Sequence, residues 1–430
     1  MSHLRTQPLV RVEGEGEIAV VVDGNNRVID VEYHITEAPR FFEYIVRNKH
    51  FTIVPDLVSR ICGLCGSSYE LGAARAFEVG FEINVPEKIE KYRVMIHLAE
   101  RIKSHVLHIG FLNLPDLIGT RTFMDLEKRN PEIFRIIINL VKTSEFLMKS
   151  LGGRIHNVVP IQVGGVSKLI SREEAVKLGK LMRDVLAPSL EKFADFILSL
   201  ETYPDEKQEL VLCTVLEEGY PHMSTMIECN DTRMPAYEFY EKTVEVIQRD
   251  NKTALLYKLN GRPYVVGPIA RFNKNRDKLH PMTIDLLRQY GWNRKLNNVF
   301  QGAVARIAET HDAMIRILEF LENYESISTS GVLKPVTGSE MNLCVNAIEA
   351  PRGILYHRYT VDKYGLITEA NLVTPTAQNI AALEEIGKHM VLNEVLNENI
   401  LDTLRKVAVA FDPCISCSVH SMRVKIVKKY

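Results

Sequence analysis

Hydrophobic and polar positions alternate at the start of the chain and change rhythm after Pro39. LVRVEGEGEIAVVVDGNNRVIDVEYHI (9–35) holds two β-rich runs joined by Asp23-Gly24-Asn25-Asn26, which predicts a hairpin. Beyond it the period is helical. PEKIEKYRVMIHLAERIKSHVLHIGFLNL (86–114) begins on a proline and predicts a helix several turns longer than the average. SREEAVKLGKLMRDVLAPSLEKFADFILSLE (171–201) opens with a capping box, Ser171 with Glu174, and is expected to break at Pro188. The stretch 293–323 predicts a third long helix, and 376–395 and 398–411 predict two more. Short β-like pieces at 256–267 and 353–370 fall between them, and 203–235 is irregular enough to read as an excursion. Repeats, low-complexity tracts and Gly/Pro/Ser linkers are absent from the sequence. The pattern predicts a mainly α fold with small β elements, a core bundle of long helices with an N-terminal β-hairpin, in one unit.

Composition narrows the classes. Of 430 residues, 46% are hydrophobic, ample for a large core and far from a disordered chain. A formal net charge of -1 argues against nucleic-acid binding, which calls for a basic excess. No apolar run approaches the roughly 20 residues of a bilayer span, and MSHLRTQPLVRVEG lacks a signal-peptide core, so the expected location is the cytoplasm.

The cysteines change the picture more. Seven is an odd number, and four of them form two Cys-x-x-Cys pairs near opposite ends, Cys62 with Cys65 and Cys414 with Cys417. In a reducing compartment such pairs point to metal or redox chemistry before disulfides. Cys213, Cys229 and Cys344 stand alone and read as small buried apolar residues. If the pairs converge they make a tetrathiolate site for a soft or borderline metal. Spacing alone leaves structural zinc and an iron–sulfur cluster open, although both usually draw on cysteines closer together.

The residues around the cysteines go further. RVEGEG (11–16), RICGLC (60–65), EAPRG (349–353) and DPCISCSVH (412–420), in that order, resemble the large, catalytic subunit of nickel–iron hydrogenases. GGRIHNVVPIQVGG (152–165) is similar to the cytoplasmic multi-subunit branch, such as archaeal sulfhydrogenases linked to NADP. The resemblance implies a hydrogenase-like fold and reversible heterolytic cleavage of dihydrogen at a nickel–iron centre whose iron carries carbon monoxide and cyanide. Cys62 and Cys414 would be terminal nickel ligands, and Cys65 and Cys417 would bridge to iron. Cys414 would take the first proton and Glu13 would relay it. Arg352 would lie over the metals against cyanide, beside Pro351, with Thr376 donating to the other cyanide and Asp412 holding Arg352 by a charge-assisted pair. Glu43 and His420 would hold a second metal, magnesium or iron.

The same resemblance implies an iron–sulfur small subunit, diaphorase-type subunits carrying flavin and binding nucleotide, nickel-insertion chaperones, and a maturation protease. That protease would remove SMRVKIVKKY (421–430), a C-terminal extension beyond His420, leaving a single large-subunit domain over 1–420. The pattern departs in two places. Tyr69 stands where the family usually has histidine, and Asn113 where some members have aspartate. The competing reading is a non-catalytic subunit of a redox complex, either hydrogenase-derived or zinc-stabilised.

Overall fold

The structure is a computed structural model and describes residues 3–120, 122–200, 203, 207–246, 254–324 and 341–419. Its centre is helical. Glu87–Leu107 packs against Pro131–Gly152 on one side and Gly302–Glu322 on another. Gly66–Gly80 lies beside them and is buried almost all round, as expected of a helix rich in alanine and glycine rather than amphipathic.

The expected helix over 86–114 has the right length but not a uniform pitch. Glu87–Leu107 widens into a π turn, His108–Asn113, before the short helix Leu114–Leu117. Over 171–201, Arg172–Leu181 passes through a second π turn, Met182–Leu186, into Ala187–Leu198. Both wide turns come just ahead of a proline, Pro115 and Pro188. The ring removes an N–H and crowds the carbonyl four residues back, and the extra residue per turn accommodates it without a full break. The Ser171–Glu174 capping box forms as read. Helix 293–323 shortens to Gly302–Glu322, because the Asn298 side chain caps the 3₁₀ turn Val299–Gln301 instead. Pro375–Val391 and Glu398–Phe411 match their expected ranges closely and are capped by Thr374 and Asn397. The sequence reading assigned nothing to Pro131–Gly152, despite Asn130 and Pro131 at its start.

The N-terminal hairpin pairs Gly16–Val22 with Val28–Ile35, and His3–Pro8 adds a third strand. The other main sheet runs Ile367–Val373, Gly353–Asp362, Met341–Ala350, Met223–Ser224 in spatial order, antiparallel throughout. The helix Gly66–Gly80 lies on it. At Gly72 a Cβ would sit 2.5 Å from Nε2 of His357, so only glycine permits this approach.

The irregular stretch 203–235 is no loose excursion. Leu212–Val215, Met226–Cys229 and Thr232–Pro235 join Val265–Val266 in a four-stranded sheet over a small core of its own. There the reading of isolated cysteines is corrected. Cys213 lies opposite Cys229 in the antiparallel register, and the two are joined as a disulfide. A separation of 16 residues gave no hint of that register. Cys344 is buried and free, as expected. Among the described residues, no helix is long and apolar enough to cross a membrane.

Candidate metal centre

The two Cys-x-x-Cys pairs meet. All four sulfurs lie within 4.8 Å of one another, all four residues are buried, and none is in a disulfide. Cys62 and Cys414 are 3.6 Å apart at sulfur, and Cys65 and Cys417 are 3.9 Å apart. Among the described residues this is the one group of His, Cys, Asp and Glu donors placed to hold a cation.

Local backbone sets each pair. Cys65 caps the helix Gly66–Gly80, and Cys62 sits in the turn before it. The Cys62 sulfur accepts from the amides of Leu64 (3.3 Å) and Cys65 (3.1 Å). Cys414 caps the short helix Ile415–Ser418, whose first turn returns the Cys417 amide to the Cys414 carbonyl at 3.2 Å. Asp412 precedes it in a left-handed conformation, closing the helix Glu398–Phe411.

What draws the ends together is partly RVEGEG. Glu13 forms a parallel bridge with Cys414, and the Glu13 carbonyl accepts from the Ile415 amide at 2.9 Å. The Glu13 carboxylate accepts from the Ser416 amide (3.2 Å) and hydroxyl (2.7 Å). Gly14 has φ +89°, and a Cβ there would lie 2.7 Å from that of Ile415, which explains the glycine in the motif.

Sequence reasoning missed Arg40. Its amide donates to the Val419 carbonyl at 2.8 Å. Its guanidinium donates to the Ile61 carbonyl at 2.7 Å and to the Ser416 carbonyl, tying the backbone beside Cys62 to the backbone between Cys414 and Cys417. No spacing rule singles out an arginine before two phenylalanines. Ser416 was missed for the same reason, because its partner is 403 residues away.

The remaining candidates fall as follows. Arg352 is buried, with Nε donating to the Asp412 carbonyl (2.8 Å) and Nη2 to Asp412 Oδ1 (3.0 Å). Burial works against its charge, but Asp412 and then the sulfurs of Cys414, Cys65 and Cys62 outweigh it and hold the guanidinium well above its ordinary value. Burial likewise works against the Asp412 carboxylate; Arg352, then His108 and Arg306, overcome it and keep it below the ordinary range. Thr376 Oγ accepts from the Cys414 amide at 2.9 Å, which leaves its O–H to donate. Pro351 directly precedes Arg352, and its carbonyl accepts from Arg271 at 2.8 Å. Asn113 is buried in the π turn.

Glu43 is buried in the short helix Phe42–Ile45 and accepts from the Leu372 amide at 2.8 Å. It joins no cation-holding group among the described residues, and His420 and the extension 421–430 lie outside them. His97, His105 and His108 are fully buried in the helical core.

The donor set fits a soft or borderline divalent metal. Hydrogen bonding among the sulfurs pulls the Cys62 thiol well down against burial, and the same contacts push Cys414 well up. Burial pushes Cys417 up. A bound cation would replace those shared protons. Around the sulfurs, Arg352 Nη1, Asp412 Oδ2 and Tyr69 Oη are buried without a hydrogen-bond partner. Buried polar atoms are rarely left so, and a group with acceptor atoms at its edge would satisfy the two donors.

The nickel-dependent hydrogenase family matches the chain over residues 40–168 and 224–420. Sulfhydrogenase 2 subunit alpha of Pyrococcus furiosus is 29% identical over 420 residues, covering 96% of this chain and 98% of that protein. The beta subunit of the NAD-reducing hydrogenase HoxS of Cupriavidus necator is 26% identical, covering 96% and 94%. Among solved structures, an NAD⁺-reducing [NiFe]-hydrogenase in its H2-reduced state superimposes with a TM-score of 0.84 at 23% identity, covering 98% of this chain and 99% of that one.

Proposed function

The chain belongs to the nickel-dependent hydrogenases, oxidoreductases acting on dihydrogen, and from that premise we propose that it cleaves dihydrogen reversibly and heterolytically at a nickel–iron centre held by Cys62, Cys65, Cys414 and Cys417. The observation that carries the reading is the convergence of four buried, unbridged thiols beneath an arginine with an unused donor. When bound, the metal pair with its carbon monoxide and cyanide ligands polarises dihydrogen and takes up its electrons.

The chain's own residues do the rest. Cys62, Cys65, Cys414 and Cys417 would hold the metal pair, Cys62 and Cys414 as the terminal thiolates of nickel and Cys65 and Cys417 as the thiolates shared with iron. Cys414 Sγ holds the released proton, and the Glu13 carboxylate receives it. Glu13 is suited to this because backbone pairing fixes it to Cys414, while two donors from Ser416 orient its carboxylate. Arg352, whose Nη1 has no protein partner, would offer that donor to a cyanide nitrogen, while Asp412 fixes the guanidinium and Pro351 keeps that wall apolar. Thr376 would donate its O–H to the other cyanide. Glu43 and His420 would hold the second cation, magnesium or iron, and removal of residues 421–430 by a maturation protease, after nickel-insertion chaperones have acted, would complete that end. The domain is 1–420.

Electrons leave through an iron–sulfur small subunit. The name of one relative, an NAD-reducing hydrogenase, supports delivery from there to a pyridine nucleotide; on this reading flavin-bearing diaphorase subunits carry the electrons, in the cytoplasm.

The test is an infrared spectrum of the complex purified from its own cells. Sharp carbon monoxide and cyanide stretching bands are expected, in a region where no side chain absorbs sharply. Protein processed at His420 that shows no bands and holds only zinc would overturn the reading.

A further inference from the structure

The helix Glu87–Leu107 changes character along one face. Lys88, Lys91, Met95 and Leu98 follow one another at helical spacing, so that face begins cationic and turns apolar. The last turns of Gly302–Glu322, the helix packed against it, carry Arg316 and Phe320 in the same relation. The two faces do not close completely. Between them lies a cavity of about 480 Å³, with Met95, Leu98 and Phe320 as apolar walls and Lys88, Lys91 and Arg316 as its cations. The one acid in its lining, Glu319, lies 3.2 Å from His280 Nε2.

His222 also faces the cavity, and its Nδ1 is buried with no hydrogen-bond partner. The ring is held in place. The His222 amide donates to Glu217 at 2.7 Å, and its carbonyl accepts from the Glu349 amide at 2.7 Å. His97 packs edge-on against the ring, with centroids 6.0 Å apart. Burial first, and then Arg101, His97, Arg316 and Arg271, hold the imidazole well below its ordinary value, so it stays neutral and can present an N–H. Arg316 commits Nε and Nη2 to Asp312, at 2.7 and 3.1 Å, and no hydrogen bond among the described residues uses its Nη1.

A surplus of cations around the cavity argues against a metal ion, and the apolar walls argue against a bare inorganic anion. We propose that this cavity binds a small organic acid, its apolar body between Met95, Leu98 and Phe320 and its carboxylate on His222 and Arg316, with Lys88 and Lys91 supplying charge at the mouth. The site draws on none of the residues around the four sulfurs, so it stands or falls apart from the metal centre.

The test is calorimetric titration of the purified complex with phenylbutyrate and, separately, with phenylbutylammonium, which has the same body and the opposite charge. Phenylbutyrate is expected to bind saturably, one per large subunit, and phenylbutylammonium at least about tenfold more weakly. Val94→Trp fills the cavity from a partly buried position in its wall and should abolish binding. His222→Phe keeps the ring, loses Nδ1, and should weaken binding at least about tenfold, the worth of a hydrogen bond to a charged group. Absence of saturable phenylbutyrate binding, equal affinity for the two probes, or wild-type affinity in either folded variant overturns the proposal. Should both variants fail to fold, Lys88→Glu combined with Lys91→Glu decides, since both positions are exposed. Weaker phenylbutyrate binding in that protein supports the site, and unchanged affinity overturns it.

Discussion

Two buried arginines sit a few residues apart in space and are treated in opposite ways. Arg271 uses all of its donors: Nε and Nη2 reach Glu309 at 2.6 and 2.7 Å, Nη1 reaches Glu349 (2.8 Å) and the Ala350 carbonyl (3.0 Å), and Nη2 also reaches the Pro351 carbonyl (2.8 Å). Its partners are saturated in turn, Glu309 by Tyr220 and His105, Glu349 by Thr214 and the Val215 amide. Arg352 meets only Asp412 and leaves Nη1 unused. Burying a charge is tolerable when its partners are complete. Arg271 and its two carboxylates are complete and hold the chain leading to residue 352; Arg352 and Asp412 are short of partners at the face where the four sulfurs meet. Between these two arginines, saturation goes with scaffold and shortage with a place kept for something else.

The sharpest way to break this contrast is to remove a ligand. Cys417→Ser should lose dihydrogen oxidation altogether, together with its nickel, while the metal-free chain unfolds within about 1 kcal/mol of metal-free wild type. Dye-linked turnover, metal analysis and chemical denaturation measure the three quantities. Full turnover in the variant would remove Cys417 from the centre.

The same substitution made at each arginine sharpens it further. Lysine keeps the charge but not the fork. Arg271→Lys should strand several buried acceptors at about 1–3 kcal/mol each, seen as a lower denaturation midpoint. Arg352→Lys strands at most part of the Asp412 pairing, so it should lower that midpoint less than Arg271→Lys, yet lower turnover per nickel by roughly 10²- to 10³-fold, the usual cost of a lost preorganised donor. Equal effects on stability from both would erase the distinction between scaffold and site.

How much of this the sequence disclosed follows from the range of each interaction. The capping box at Ser171, the hairpin at Asp23 and the helix Glu398–Phe411 are local, so their signals lie within a few residues. The cysteine pairs were legible as pairs, and their four flanking motifs named the family. Arg40, Ser416 and the Cys213–Cys229 pairing were not legible, because each depends on a partner set by tertiary register. The same holds for the saturated cluster: Arg271, Glu309 and Glu349 come from two helices and a strand, and no motif joins them. The π turns before Pro115 and Pro188 were half legible, since a proline predicts disruption but not its form.

The smallest effect expected is in acid. His105 donates Nε2–H to Glu309 in the saturated cluster, and burial pushes it down to about 4, against the pull of that carboxylate. His108 donates to the Val409 carbonyl, on the helix that ends at Asp412, and burial pushes it to about 3. Unfolded histidine titrates near 6.5. Between these values the unfolded chain binds protons that the folded chain refuses, so stability is full above about pH 6.5 and falls as the pH drops toward 4 and then 3. Glutamine at either position keeps an N–H donor and cannot titrate. His105→Gln and His108→Gln should each flatten the slope of unfolding free energy against pH, near pH 5, by up to about 1.4 kcal/mol per unit. His105→Gln should lose its effect below about pH 4, whereas His108→Gln should continue to about pH 3. Identical slopes for wild type and both variants would mean that the folded chain accepts these protons after all. The saturated cluster would then tolerate a cation beside Arg271, which its complete pairing argues against.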